Sequence, residues 1–547
     1  MVDPKILPEE IFQKREQLGI NNSVRMLFEI IDTEKDKKIR MDAISYLGLI
    51  SKDSGELKQE CFETLENVLI SEENVEIKCE AAGALGKMQY EQALKPLKWV
   101  MEQETTNNDL KEASLKAISN VRFQEPEIQL FIKELGNTTK SIRNLVRNQI
   151  ISLNPEKSIK MLVESLKNED LSSNHRIEII DLIGLELSSI NITFEDSSFI
   201  KIKYPEIFSD LVKNKNRLLD AITSISIKDN SPLMNNTITI LKILGEEINQ
   251  DLIKLLLIDD FIVKKNATKL VGKLRLKDAV DFLIVNLDNI YNEVSIATIE
   301  ALGEIGNVSA VPDLLNVLNI EDISYEYLDI DMKFYILDAV KNIYINNTEA
   351  KYDDLYSYLQ TDNDTIKESI AYIFGEIGDG EFVNSLVSLL KEKNLDIKKN
   401  SIIALGKIGD LEAIDPLISV LDDKYSYWLV KKVAVDAIYN IFHKNSYLLL
   451  DEKKDPRRFL IQSTAKLIEY LSQKEKEDFK VKLSLIKFLE EFGGEPALNA
   501  LLKRVNDFHR VVRIYASNAI KKIEEKLELE EEKQSRILTF KDKIFKK

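Results

Sequence analysis

Metal ligation, nucleophilic attack and acid–base transfer need His, Cys or paired carboxylates at short, defined spacings. The chain has three histidines, His175, His443 and His509, far apart and outside any HExxH pattern. Each reads as a surface or groove side chain rather than a catalyst. Cys61 and Cys79 form no CxxC pair, and Cys79 is followed directly by Glu80. A nucleophilic thiolate wants the opposite, an electropositive setting, so both read as unrelated buried or half-buried thiols. Asp and Glu total 92, too many for an acid–base pair to stand out by count. Asp379 and Asp410 recur in equivalent motifs. A helix cap is needed once per repeat and catalysis once per protein, so recurrence argues for capping. No GxGxxG or GxxxxGKS/T run follows a strand pattern, which removes the usual phosphate loops. The expectation is no catalytic, cofactor-binding or metal-ligating residue, no cofactor, and no enzyme.

Residues suited to binding are more plentiful. Trp99 lies in LKPLKWVM and Trp428 in KYSYWLVKK; both read as packing residues, Trp428 with a secondary option of capping a groove. Net charge is −17, yet residues 451–547 hold 23 basic and 18 acidic residues, so the first 450 carry −22. An acidic body attracts a basic partner and repels nucleic acid. The best local basic strip is Lys503, Arg504, Arg510 and Arg513 beside His509, with Arg457 and Arg458 opening an earlier unit. Residues 319–331 carry Glu321, Asp322, Glu326, Asp329 and Asp331 with Tyr325 and Tyr327, and no base.

The elements that must position these groups are helices. Eighteen glycines and 11 prolines in 547 residues fall well below ordinary usage of roughly 7% and 5%. So few breakers disfavour a turn-rich β architecture. No apolar run is long enough to span a membrane. The opening MVDPKILPEEIFQKREQLG is charged throughout and lacks a signal-peptide core. With so little cysteine, a cytoplasmic setting is expected.

A repeat runs along the chain. The stretches 75–88, 294–318, 366–390 and 397–421 share one grammar: a helical pattern opening on a β-branched residue, then an apolar pair and Gly. In the last three the pattern closes on Ile-Gly-Asp or Ile-Gly-Asn, and a second helical pattern follows. The marker glycines Gly272, Gly303, Gly375 and Gly406 are 31, 72 and 31 residues apart, and Lys341 takes the glycine's place inside the long gap. A 31-residue unit holds two helices and two loops, so it must stack on its neighbours. Gly306, Gly378 and Gly409 sit where a left-handed C-cap ends a helix. Asn307, Asp379 and Asp410 follow at capping positions. Mid-helix Gly303, Gly375 and Gly406 each cost about 1 kcal/mol against alanine, which implies close approach by a neighbouring helix.

The Ala-Leu-Gly-x-Ile-Gly-Asp pattern of 397–410 and its copies resembles HEAT repeats, most closely the short kind found in phycobilisome lyase subunits. Clear copies cover 75–101, 294–318, 366–390 and 397–421, and weaker ones extend from about residue 20 to 525. The resemblance implies an all-α, right-handed α-α superhelix of the HEAT/armadillo-like solenoid class and says little about activity. One HEAT-like enzyme family, similar to deoxyhypusine hydroxylase, uses repeated His-Glu pairs. Here the histidines are followed by Arg176, Lys444 and Arg510, so that activity is rejected.

The expected organisation is one continuous row: repeats over 1–185, an irregular insert at 186–216, repeats over 217–523 and a charged tail at 524–547. The expected function is a protein–protein interaction scaffold using a concave helical surface, with a protein partner whose basic surface suits the acidic body, no membrane insertion, and nucleic acid disfavoured by charge. Two alternatives stand beside it: nucleic-acid binding through the C-terminal basic strip, and, as the resemblance implies, a lyase or lyase-partner subunit related to the phycobilisome-lyase HEAT proteins.

Overall fold

The computed structural model describes residues 6–103, 106–190, 197–225, 228, 231–318, 330–347, 350–424, 426–450 and 455–545. All regular structure among these residues is helical. The chain forms two compact units, 1–274 and 275–547. In each, longer helices alternate with shorter ones. The longer, or first, helices include Lys37–Ile50, Val75–Met88 and Asn108–Val121 in the first unit. In the second unit they include Asn292–Ile305, Ile330–Asn346, Asp364–Ile377, Leu395–Ile408, Trp428–Lys444 and Phe479–Phe492. The shorter, or second, helices include Leu94–Glu102, Val383–Leu389 and Ile414–Asp422.

Local chemistry sets the boundaries of a repeat. In Leu395–Ile408, Asn394 accepts from the amides of Asp396 and Ile397 at the start. Gly409, at φ 82°, closes the end in the left-handed region, where a Cβ is unfavourable. Asp410 then accepts from the amide of Glu412 and opens the next turn. Gly378 with Asp379, and Gly306 with Asn307, do the same one and three repeats earlier. These aspartates are therefore caps.

The mid-helix glycines set the spacing between repeats. A Cβ built on Gly406 would lie 2.8 Å from the Ala437 Cα, and one on Gly375 2.7 Å from the Ala404 Cα. Gly303 meets Ala339 at 2.8 Å, Gly86 meets Ala117 at 2.7 Å, and Gly48 meets Ala84 at 2.6 Å. Within one Ala-Leu-Gly triplet the alanine receives the glycine of the preceding repeat, and the glycine receives the alanine of the next. Residues two apart point to nearly opposite sides of a helix, so the triplet is a two-sided spacer. First helices thus touch backbone to backbone, while successive second helices are packed less closely. A more closely packed row takes the concave side of any curve that two stacked rows adopt, so the first-helix row is called the inner row of each unit. Both units carry the right-handed, HEAT/armadillo-like α-solenoid fold.

The first unit departs from this rule after Ile190. Residues 191–196 of the irregular stretch lie outside the described residues. The stretch continues as helices Ser197–Lys203 and Pro205–Lys213. Helix Pro232–Leu244 packs directly on Ser173–Ile190, with Gly184 against Asn236. Helix Phe261–Lys273 instead meets Lys215–Ser224, where buried Asn266 donates to the carbonyls of Thr223 and Ile225, 2.7 Å each. Residues 524–545 of the charged tail belong to the last helix, Arg510–Phe545.

Candidate interaction surfaces

The inner surface of each unit is built from first-helix residues that point away from the second helices. On Leu395–Ile408 these are Asn400, Ile403 and Lys407; on Asp364–Ile377 they are Glu368, Tyr372 and Glu376. Positions three or four apart share a helix face, and each such face meets its counterpart one repeat on. Asn400 donates to Glu368 at 2.9 Å, and Lys333 approaches the same carboxylate at 3.5 Å. Lys407 pairs with Glu376 and lies over the Tyr372 ring, 5.4 Å from its centre. Nearer the C-terminus, Tyr439 donates to Glu491 at 2.5 Å and Lys487 lies 4.5 Å from the Tyr439 ring centre. Lys522 pairs with Glu490 at 2.5 Å.

The first unit is laced in the same way. Lys37 pairs with Glu76 at 2.5 Å, Lys87 donates to Ser45 at 2.7 Å, and Ser141 donates to Glu112 at 2.6 Å. Arg147 spans Glu178 and Asp181, and Asp181 also accepts from Asn236 at 2.7 Å. An open cleft of about 530 Å³ lies between helices Lys37–Ile50 and Val75–Met88, lined by Lys37, Met41, Asp42, Ser45, Glu76 and Glu80. Apolar side chains interrupt the polar lattice at three places: Leu49 and Leu185, each just after a marker glycine, are 38% exposed, and Ile403, three residues before Gly406, is 37% exposed. Partly exposed pairs of this kind each contribute little stability, roughly 0–1 kcal/mol. Their arrangement produces an alternating-sign surface with a few exposed apolar side chains.

A second set of charges joins repeats at the starts of the first helices. Arg40 donates to the Ile31 carbonyl at 3.1 Å and pairs with Glu72 at 2.8 Å. Lys367 pairs with Glu392 at 3.1 Å, Lys431 with Glu477 at 3.2 Å, and Lys482 with Asp507 at 2.8 Å. Burial alone would raise the Asp507 carboxyl, but hydrogen bonds from Lys482, the His509 amide and Arg504 hold it below its ordinary range. Glu477 is likewise held down, against burial, by the Tyr470 hydroxyl, the Asp478 amide and Lys431.

The structure scatters the chemistry-bearing residues. His175 bridges the Ser172 hydroxyl and the Lys133 carbonyl, 2.8 Å each. His443 is exposed, 3.5 Å from Glu491. His509 stacks on Phe479 at 4.0 Å. Cys61 is buried and Cys79 half-buried; burial pushes both thiols up to about 11 and keeps them protonated at neutral pH. Trp428 is half-buried and carries Lys480 3.7 Å above its ring.

Two expectations need correction. Trp99 is 46% exposed rather than packed in a core. Its helix buries Leu94, Pro96, Leu97, Val100 and Met101, and Trp99 falls off that stripe. The C-terminal basic strip is not an open strip either. Arg504 is only 3% exposed, bonded to Asp507 and to the Ser472 carbonyl at 3.1 Å. Lys503 donates to Ser472, and Arg513 to the carbonyls of Asp507 and Phe508. Arg510 is exposed. The acidic group Glu321, Asp322, Tyr325, Glu326, Tyr327 and Asp329 lies outside the described residues. The Tyr439–Glu491–Lys487 group was not anticipated, since its members are 52 and 48 residues apart and meet only through stacking.

These features define an α-solenoid whose close-packed row presents an extended polar face. The family model for HEAT repeats matches residues 352–438, within the second of two units that carry the HEAT/armadillo-like fold. None of the curated proteins matches it. Among solved structures it is similar to importin-β, with 12% identity and a TM-score of 0.44 over 95% of this chain and 78% of that one. It is also similar to yeast importin-β, with 15% identity and a TM-score of 0.40 over 91% of this chain and 66% of that one.

Proposed function

We propose that the protein is a non-enzymatic scaffold that binds protein partners along the inner first-helix faces. The observation that carries this reading is recurrence. Polar contacts between the faces of successive first helices recur along both units, and exposed Leu49, Leu185 and Ile403 stand among them. A surface built by repetition suits many shallow contacts summed over length. Its alternating charges suit register with a protein of complementary pattern better than a uniformly anionic polymer. The acidic body makes a basic partner surface the best match. The repeat type we infer is the short one of phycobilisome lyase subunits, supported by the 31-residue steps at Gly272–Gly303 and Gly375–Gly406. We also place the protein in the cytoplasm, a setting supported by its two free cysteines; no helix among the described residues is long and apolar enough to cross a membrane.

The test is site-specific photo-crosslinking in cells. A photoreactive residue replaces Leu49, Leu185 or Ile403 on inner faces, or Trp99 or Ile461 on second helices. One protein captured from several inner positions and from neither outer one supports the reading. Capture confined to the outer positions, or of nucleic acid, rejects it.

A further inference from the structure

The second-helix side of the second unit holds a concavity that the inner-face reading does not use. Helices Val383–Leu389 and Ile414–Asp422 belong to successive repeats, and a groove of about 340 Å³ lies between them. Its apolar lining is Val387, Leu390, Ile402, Pro416, Val420 and Val430. Ile402 and Val430 come from the first helices beneath, so the groove crosses the joint between two repeats.

Lys391 and Lys398 also line the groove. Neither ammonium has a carboxylate partner among the described residues, although the chain carries a net charge of −17. The acids nearest in sequence are committed elsewhere: Glu392 pairs with Lys367 at 3.1 Å and Asp396 with Lys399 at 2.6 Å. The groove's one acid, Asp423, accepts from the Ser426 hydroxyl at 2.8 Å. Apolar lining beside two unmatched cations selects for a ligand with an aliphatic side chain flanked by carboxylates. The joint between repeats is therefore charged oppositely to the body around it.

We propose that this groove docks a short acidic–aliphatic segment of a partner protein, with an Ile or Leu side chain between the second helices and flanking carboxylates on Lys391 and Lys398. This is a second contact surface, and it does not rest on the inner-face reading.

The probe is a fluorescein-labelled peptide, Gly-Glu-Asp-Ile-Glu-Leu-Asp-Gly, titrated with the full chain by anisotropy. Wild-type protein binds it and binds the version with Ser for Ile and Leu at least 10-fold more weakly. Lys391→Glu with Lys398→Glu lowers affinity at least 10-fold. Ser419→Trp, at an exposed lining residue, obstructs the groove and does the same while far-UV circular dichroism stays unchanged. Ile403→Asp, on the inner face, leaves peptide affinity unchanged, which separates this proposal from the scaffold reading. Any one of three results overturns it: no binding to wild type, binding that survives both the charge reversal and Ser419→Trp, or a single-stranded oligodeoxynucleotide of equal charge binding at these lysines in place of the peptide.

Discussion

Helix Val75–Met88 contains an internal control for the spacing rule. Gly83 and Gly86 lie one turn apart; a Cβ at Gly83 meets nothing within 4 Å, whereas one at Gly86 would stand 2.7 Å from the Ala117 Cα and 2.9 Å from its Cβ. Comfortable carbon contacts begin at roughly 3.5 Å, so Gly86→Ala must push helix Asn108–Val121 away by nearly 1 Å or distort locally. Both substitutions gain helix propensity, about 1 kcal/mol each. Only Gly86→Ala carries an overpacking cost, typically about 1–3 kcal/mol. Gly83→Ala is therefore expected to stabilise by about 1 kcal/mol and Gly86→Ala to be less stable than Gly83→Ala by about 2. Ala117→Gly does not restore Gly86→Ala, because the closest atom is backbone. A 547-residue chain does not unfold as one unit, so the assay is native-state hydrogen exchange of the amides in Val75–Met88. Equal stabilisation by the two alanines would refute backbone contact as the reason for the glycine.

Buried Glu186 has a carboxylate oxygen without a partner among the described residues, and burial raises its pKa despite a hydrogen bond from Ser158. The folded state then holds a proton that the unfolded state has lost, so stability falls as pH rises from the unfolded value through the folded one. Glu186→Gln should flatten that slope and stabilise its helix at pH 8 more than at pH 5, as read by native-state hydrogen exchange of the amides in Ser173–Ile190. Asp507 behaves oppositely, since its folded pKa is depressed. Its contribution is present above the unfolded value and is lost as pH falls through the folded one. Asp507→Asn leaves Lys482 and Arg504 buried without their carboxylate and should cost about 3–5 kcal/mol, read by native-state hydrogen exchange of the amides in Phe479–Phe492 at pH 7. Asp410→Ala removes one cap and should cost about 1 kcal/mol, visible as faster exchange in Ile414–Asp422. Trp99→Ala should change stability by under about 0.5 kcal/mol, far below the loss expected of a core tryptophan.

Where local chemistry acts alone, the sequence was enough. The capping aspartates and left-handed glycines sit within a few residues of the amides and carbonyls they serve, so their roles at Gly378, Asp379, Gly409 and Asp410 were legible. The close approach at Gly406 was legible as a propensity penalty requiring a reason, though its partner Ala437 was not. Arg504 was legible in principle. It completes the buried stripe Ala497, Ala500, Leu501, a position that its charge obscures in the sequence. The 31-residue repeat could not foretell that Phe261–Lys273 would meet Lys215–Ser224, because that joint rests on the amide of Asn266 and two carbonyls more than 40 residues away. The surface groove was equally hidden. It exists because two second helices from different repeats stand apart, and its charge comes from lysines whose neighbouring acids turn elsewhere.

Lysine footprinting of a partner complex isolated through the Ile403 crosslinking position tests the scaffold claim most directly. Dimethylation of the free chain and of the complex is compared at inner-face lysines, Lys341, Lys399, Lys407, Lys432 and Lys487, and at Lys95 and Lys466 on second helices. The scaffold reading predicts protection at inner lysines of three or more consecutive repeats, with Lys95 and Lys466 unchanged. Protection confined to a single repeat, or to the second-helix lysines, would contradict it.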